Sequence, residues 1–349
     1  MTRMDRTSRR RRGAGRPTIA DVARLAGVSP ITASRALREP QKVSEELRGN
    51  VAAAVEALGY VPDPNARALA SSRTDVIGVI VPSLTNNVFA DVLRGMYDAL
   101  EGQAYQIQLG NSRYQPAEEE RLLTTFARQK PSALIVSGID QTETARAILQ
   151  DADCPVVQIM ETGPDPIDMM VGFSHRDAGA AVVRHLIASG YRRIGFIGAR
   201  MDPRSQRRLQ GYHDAMDEAG LGDPSIIITT PAPSSVTLGR HLFRDLATRS
   251  AGLDAVFCNN DDLALGALFE CQNMALPVPG RVGIAGFNDL EMMAAATPSL
   301  SSVRTYRYDM GLLSMRMALG AIQEEPIEER IVDLGFELAM RDSTAGPAT

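Results

Sequence analysis

Between residues 18 and 60, apolar side chains recur every three or four positions in three short blocks. Ile19, Val22, Ala23, Leu25 and Ala26 form the first, Ala33, Ala36 and Leu37 the second, and Leu47, Val51, Ala54, Val55 and Leu58 the third. That period predicts three short helices, each turning one face to a common core. Thr18 is placed to cap the first helix, with Asp21 three residues on. Gly27 supplies the turn, because without a Cβ it takes positive φ freely. Ser29 suits the next N-cap, and Pro30 the first helical position, where a missing N–H costs nothing. Ser44 is expected to cap the third helix and Gly59 to close it.

From Val76 onward the period shortens. The apolar runs "VIGVIVP", "YQIQLG", "SALIVS", "PVVQIM", "RIGFIGA", "SIIITT", "DAVFCNN" and "RVGIAGF" alternate with amphipathic stretches. Strand–helix alternation over this length predicts an α/β fold with parallel sheets. Strands near 76, 105, 132 and 155 form one group and those near 193, 226, 254 and 281 a second, which predicts two similar subdomains. "SVRTYRY" and "DLGFEL" are candidates for crossing back between them. A cleft between such lobes, at the carboxyl ends of the strands, is where a small ligand binds. Between head and body, Pro62, Pro64 and the Ser71–Ser72 pair mark a linker around "NARALA". One or two helical turns fit there, marginal alone in water. The expected divisions are a basic tail over 1–16, the helical head over 17–61, a hinge over 62–74, a two-subdomain core over 75–340 and a C-terminal tail over 341–349.

Composition changes the picture mainly through charge. The 349 residues are 44% hydrophobic, enough for sizeable cores, and carry a formal charge of −5. Residues 1–72 hold 13 Lys or Arg against 7 Asp or Glu, while the remainder holds 24 against 35. A basic front on an acidic body predicts a polyanion-facing module joined to something else. The excess lies in residues 1–16, with 7 Arg and 1 Asp, whereas residues 17–72 balance at 6 against 6. That apolar-poor tail is expected to be disordered, its arginines adding sequence-independent attraction to phosphate.

Cys154, Cys258 and Cys271 show no CxxC spacing, which argues against a disulfide framework or zinc site. No metal or cofactor is expected. No apolar stretch follows the N-terminal arginines and no run approaches the ~18 apolar residues of a membrane span, so neither a secretory signal nor a span is expected. His175, His185, His213 and His241 sit in no GxSxG, HExxH or P-loop context, and "GFIGAR" has too few glycines for a dinucleotide fingerprint. The chain is not expected to be an enzyme.

"TIADVARLAGVSPITASRAL", followed by "VSEELRGNVAAAVEALGYVPDPNARALA", resembles the headpiece of the lactose/galactose repressor (LacI-type) family of bacterial transcription factors. "RRLQGYHDAM", "NNDDLALGAL", "RVGIAGFNDL" and "PSLSSVRTYRYDMG" resemble recurring segments of that family's core, so the likeness spans about residues 17–340. "PSLTNNVFADVLRGM", "NNDDLALGALFECQ" and "VDLGF" are most similar to the gluconate-utilisation repressors. The resemblance implies a three-helix helix-turn-helix head, a hinge helix and a two-lobed periplasmic-binding-protein-like core. It also implies a cytoplasmic, nucleoid-associated homodimer that represses carbohydrate or sugar-acid catabolism genes. A small molecule in the interlobe cleft would release it from a palindromic operator. Two alternatives stay open: a periplasmic-type sugar-binding protein, and a regulator whose effector acts as co-repressor.

In a helix-turn-helix the second helix enters the major groove with its N-terminal residues at the base edges. Here those are Ser29, Pro30, Ile31 and Thr32, then Ser34 and Arg35, with Thr18 at the start of the first helix. Arg35 can bridge guanine O6 and N7, while Pro30 and Ile31 can read only shape and a thymine methyl. The competing role for Ile31 is packing in the head's own core. By resemblance, the hinge becomes helical on DNA and Leu69 wedges into the minor groove, with Asn65 and Ala66 in register. Asn65 and Arg67 can reach phosphates, which position but do not specify.

Arg208 matches the family's ligand-gripping arginine, and a guanidinium holds a carboxylate or diol bidentately. Asn260 and Asp261 follow a strand end, Asn260 read as a ligand contact and Asp261 as the cap of the next helix. Phe89 and Phe173 are candidates for stacking on an apolar ligand face, with burial as the competing role. Where the family commonly has Asp, this chain has Asn288. Met160 and Glu161 stand where sugar-binding members often place an aspartate, and Glu161 remains a candidate for holding a hydroxyl. One fewer negative charge, with Arg208 and Arg204 nearby, favours an acidic ligand such as gluconate.

Overall fold

The computed structural model describes residues 17–38, 40–61 and 74–347. The expectations for the 1–16 tail and for Asn65, Ala66, Arg67 and Leu69 lie outside the described residues. The chain divides into two compact units between Thr74 and Asp75.

In the first unit, α1 (Ile19–Ala26), α2 (Pro30–Arg38) and α3 (Glu45–Leu58) enclose a small core. Val22, Ala23, Ala33, Ala36, Val51 and Ala54 fill it. Thr18 and Asp21 form a reciprocal capping box, and Gly27 and Gly59 end their helices in the left-handed region at φ 69° and 56°. The Ser29 hydroxyl accepts the Thr32 N–H at 3.1 Å. Ser44, expected to cap α3, makes no side-chain cap bond. Glu45 and Glu46 bring negative charge to that first turn, which favours the positive end of the helix dipole. Leu25 and Leu37, expected inward, are exposed, because alanines and valines already fill so narrow a core.

The second unit is a two-lobed α/β core. Its first sheet is parallel throughout, in the order β11-β5-β4-β3-β1-β2. These strands are β1 (Val76–Val81), β2 (Gln106–Asn111), β3 (Ala133–Ser137), β4 (Val156–Ile159), β5 (Met169–Gly172) and β11 (Ile331–Asp333). The second sheet, also parallel, runs β7-β6-β8-β9, from β6 (Ile194–Ala199), β7 (Ile227–Thr230), β8 (Ala255–Cys258) and β9 (Gly283–Ala285). A short antiparallel pair joins β10 (Ser302–Arg304) to β12 (Glu337–Ala339). The two predicted strand groups are present, and "MMVG" and "IVD" extend the first group beyond what the apolar runs indicated.

Helices cover both faces of each sheet. In the first lobe α4 (Val88–Ala99) and α12 (Arg307–Ile322) pack opposite α5 (Pro116–Arg128) and α6 (Glu143–Gln150). In the second lobe α7 (His175–Ala188) and α8 (Pro203–Glu218) pack opposite α9 (Val236–Arg249) and α10 (Asp261–Asn273), with the short α11 (Glu291–Ala295) following β9. Three of these helix pairs meet through paired glycines: Gly95 with Gly311, Gly179 with Gly211, and Gly239 with Gly266. A Cβ on Gly211 would lie 2.0 Å from the Arg176 carbonyl oxygen, and one on Gly311 1.9 Å from that of Val92. Backbone packs directly on backbone there, so no side chain fits.

The chain passes between lobes three times, at Phe173–Ser174, at Thr305–Tyr306 and at Leu334–Phe336. The last two lie in the predicted "SVRTYRY" and "DLGFEL" segments. No helix among the described residues is long and apolar enough to cross a membrane.

Candidate functional site

The walls of the cleft between the two sheets are loops that leave the carboxyl ends of strands. Asn86 follows β1, Tyr114 β2, Met160 β4, Arg200 and Asp202 β6, Ser234 β7, Asn260 β8 and Asn288 β9. Parallel sheets place their ligand sites there. Four of these residues have left-handed backbones: Tyr114 (φ 58°), Met160 (φ 82°), Arg200 (φ 66°) and Asn288 (φ 116°). Each such conformation costs on the order of 1 kcal/mol and persists only where its surroundings enforce it. At Asn288 the enforcement is visible. Its N–H donates to Val303 O at 3.0 Å, and its carbonyl accepts from Arg307, which also binds Asp91 of α4.

Arg208 dominates the cleft. It rises from α8, is buried, and lies over the Phe287 ring with its guanidinium carbon 3.8 Å from the centroid. Its Nε donates to Nδ1 of His175 at 3.1 Å and its Nη1 to the Asn259 carbonyl at 2.5 Å. Burial pulls its pKa down to about 10, against the opposing pull of Asp202, and it stays charged at neutral pH. Arg200 and Arg204 line the same cleft. Among the described residues that line it, one carboxylate faces these cations, Asp202, which caps α8 by accepting the Ser205 N–H at 2.9 Å, while Glu161 beneath the cleft acts on Arg208 and Glu119 beside it on Arg204. Burial alone would raise the Asp202 pKa, but Arg204, the Ser205 N–H and Arg208 outweigh it, and the pKa falls below its usual value. The cleft is therefore net cationic, with amide and hydroxyl groups from Asn86, Asn260, Asn288, Ser205 and Ser234 around it. That arrangement suits a polyhydroxylated anion.

Three further contacts join the lobes at the rim. The Arg200 guanidinium sits 4.0 Å from the Tyr114 ring centroid. Arg204 Nη1 reaches Ser137 Oγ at 3.4 Å. Arg207 binds both carboxylate oxygens of Asp140, at 2.6 and 2.8 Å.

Of the residues singled out in the sequence, Arg204, Arg208, Phe89, Asn260 and Asn288 line the cleft, and Glu161 and Phe173 do not. Phe173 is 1% exposed, its ring 4.3 Å from that of His175 and 6.3 Å from that of Phe287. The chain crosses between lobes at this point, and the two cores are continuous through these rings. Glu161 lies beneath the cleft, 2% exposed. Its Oε1 accepts the His175 N–H at 3.3 Å, and Arg207 stands 3.7 Å from its Oε2. Burial pushes its pKa up to about 7. The expected roles of Asn260 and Asp261 are also corrected. Asn260 caps α10 through Leu263 N–H while still lining the cleft. Asp261 is buried behind it, accepting from Leu290 N–H and Ser302 Oγ, each at 2.7 Å. Tyr114, Arg200, Arg207 and His175 were not singled out. The strand-end rule points to the first two, because both leave the carboxyl end of a predicted strand.

In the first unit, Pro30, Ile31 and Arg35 are exposed on α2 and Ser29 just before it, with Thr32 and Ser34 half-buried and the cap residue Thr18 exposed ahead of α1. Ile31 is 72% exposed, which excludes it from the head's core. A large apolar side chain held in water beside an arginine fits a surface that meets a partner.

Comparison with known proteins is specific. Residues 18–63 match the family model of bacterial regulatory proteins, lacI family, and residues 183–344 match a periplasmic binding protein-like domain. The HTH-type transcriptional regulator GntR of Pseudomonas aeruginosa is 42% identical over 333 residues, covering 95% of this chain and 97% of that protein. The crystal structure of a LacI-family transcriptional regulator from Silicibacter pomeroyi is 34% identical with a TM-score of 0.84, over 94% of this chain and 99% of that one. The crystal structure of the transcription regulator GntR from Chromobacterium violaceum is 40% identical with a TM-score of 0.75, over 78% of this chain and 100% of that one.

Proposed function

Given that this chain belongs to the lacI family of bacterial regulatory proteins, we propose that it represses sugar-acid catabolism genes and is released from DNA by a gluconate-like effector. The protein is a DNA-binding transcriptional regulator, not an enzyme. The observation that carries the effector reading is the charge of the cleft lining: among the described residues that line it, Arg200, Arg204 and Arg208 stand against one carboxylate, Asp202. Arg208 holds the carboxylate, and Asn260, Asn288 and Ser205 take hydroxyls. Phe89 and Arg204 close one wall.

On the DNA side, Ser29, Pro30, Ile31, Thr32, Ser34 and Arg35 read the major groove, and Thr18 meets phosphate through the start of α1. Asn65, Ala66 and Leu69 act at the minor groove. A homodimer reads a palindrome, since a two-fold protein matches a two-fold site. Effector binding reorients the lobes and lowers operator affinity. Thermodynamic linkage requires that operator weaken effector binding by the same factor.

The test is calorimetry of the purified protein against gluconate, 2-ketogluconate, 5-ketogluconate, 6-phosphogluconate and neutral hexoses. We expect one acid to bind and Arg208→Ala to abolish it. Binding of a neutral hexose alone overturns the charge argument.

A further inference from the structure

We propose that His175 is the positioning residue of the cleft: a neutral imidazole, protonated on Nε2, that sets the edge Arg208 presents to the effector and ties it to the opposite lobe. The proposal rests on the cleft being the effector site.

The hydrogen bonds leave the ring no choice of tautomer. Arg208 Nε only donates, so Nδ1 of His175, 3.1 Å away, carries no proton. The single ring proton sits on Nε2, where the Met160 carbonyl at 2.9 Å accepts it. A proton on Nδ1 would set N–H against N–H. The ring is fully buried, packed on Phe173 at 4.3 Å and on Phe287 at 5.6 Å between centroids. Burial first, then Arg208 and Arg204, hold its pKa well below the usual histidine value. Arg207 adds to that effect, and the carboxyl nearest the residue is Glu161, which accepts its backbone N–H.

The consequence falls on Arg208. His175 occupies its Nε and Asn259 its Nη1, and Phe287 fixes its plane. Nη2 is left as the guanidinium nitrogen without a partner among the described residues, on a side chain that lines the cleft. The other end of the ring binds Met160, in the loop after β4 of the first lobe, whereas Arg208 rides on α8 of the second. His175 also opens α7 at the first crossing of the chain. One side chain thus joins the ligand contact to the junction about which the lobes move.

Three variants separate these roles. Asn keeps an acceptor near the place of Nδ1, Gln keeps a donor near Nε2, and Leu keeps neither. With gluconate as probe, we expect His175→Asn to bind within about threefold of wild type, and His175→Gln and His175→Leu to lose about tenfold or more. In nitrogen-15 spectra, the Arg208 Nε–H should exchange slowly in wild type and the Asn variant, and rapidly in the other two. Equal affinity and equal exchange in the Asn and Gln variants overturn the proposal. So does a loss of affinity that follows melting temperature rather than the acceptor. If wild type binds no gluconate, the sugar-acid reading fails, while the Arg208 signal still decides this one. If the Gln and Leu variants do not fold, the wild-type ring decides: Nε2–H from pH 5 to 8 supports the proposal, and an Nδ1–H or cationic ring overturns it.

Discussion

Arg207 and Asp140 face each other across the mouth of the cleft, and both terminal nitrogens of the arginine reach the carboxylate, at 2.6 and 2.8 Å. One residue belongs to α8 of the second lobe and the other to the loop after β3 of the first. Both are about one-third exposed, so the pair contributes on the order of 1 kcal/mol. That is enough to shift an open–closed equilibrium roughly fivefold. We expect Asp140→Asn to broaden the interlobe distances measured by pulsed electron resonance between labels on α5 and α9. Salt near 1 M should move wild type the same way, because screening then acts within about 3 Å. Identical distance distributions for wild type and variant would remove the clasp from the account.

Glu161 gives a pH prediction with a definite sign. Its ordinary pKa of 4.5 rises to about 7 in the folded protein, chiefly through burial. Between those values the folded state holds a proton that the unfolded chain has released. Its contribution to stability is thus complete below the lower value and is lost as pH rises through about 7. Glu161→Gln keeps the oxygen that accepts the His175 N–H and cannot ionise. The variant should melt with wild type near pH 4 and above it at pH 8, by on the order of 2 kcal/mol. A variant less stable than wild type at pH 8 would show that the Arg207 contact outweighs the burial cost.

The glycine seams predict opposite signs for two similar substitutions. A methyl on Gly211 would meet the Arg176 carbonyl oxygen at 2.0 Å, so α7 and α8 must part. Gly211→Ala should cost about 2–4 kcal/mol and weaken effector binding, since Arg208 sits one turn earlier on α8. Gly49 in α3 has nothing within 4 Å of such a methyl. Gly49→Ala should therefore stabilise the head by about 0.5–1 kcal/mol. Chemical denaturation of both variants checks the pair, and a neutral Gly211→Ala would refute the close-packing account.

Ile31 and Arg35 separate stability from recognition. Ile31 is exposed, so Ile31→Ala should leave the melting temperature unchanged, within about 0.5 kcal/mol. On a DNA site selected from a random pool it should still weaken binding. Arg35→Ala should cost about 1–3 kcal/mol and relax preference at one base pair. Loss of stability without loss of site selection in Ile31→Ala would return that side chain to the core.

The fold was legible wherever one local rule acted alone. The Thr18–Asp21 capping box and Gly27 and Gly59 are set by nearest neighbours, and their roles could be read directly. Ser44 could not, because cap chemistry names who is able to bond and not who does. β5 and β11 are no shorter than strands that could be read, but neither follows an amphipathic stretch in the alternating pattern: β5 comes straight after β4, and β11 is held by β5, remote from it in sequence. Asn260 and Asn288 line the cleft, as residues at strand ends can, and Arg208, inside α8, lines it where only the resemblance pointed. Glu161 and Phe173 also follow strand ends, after β4 and β5, but lie one layer deeper, and position after a strand does not say which layer faces ligand. His175 escaped notice because its importance comes from two partners, Arg208 and Met160, that share no motif with it.

The three crossings also set a timetable. The first lobe takes β1 to β5 from the early part of the chain but needs α12 and β11, which end at Ile322 and Asp333. The second lobe draws its whole parallel sheet and the helices on it from residues between His175 and Ala295. On the ribosome, the sheet begun first is therefore completed after the second one, its edge beside β5 open while β6 to β9 are being made, and the second lobe in turn waits for Ser343 and Thr344, which close on β9 and α7. Neither a truncation before Asp333 nor a gene split between the lobes can deliver the first lobe intact.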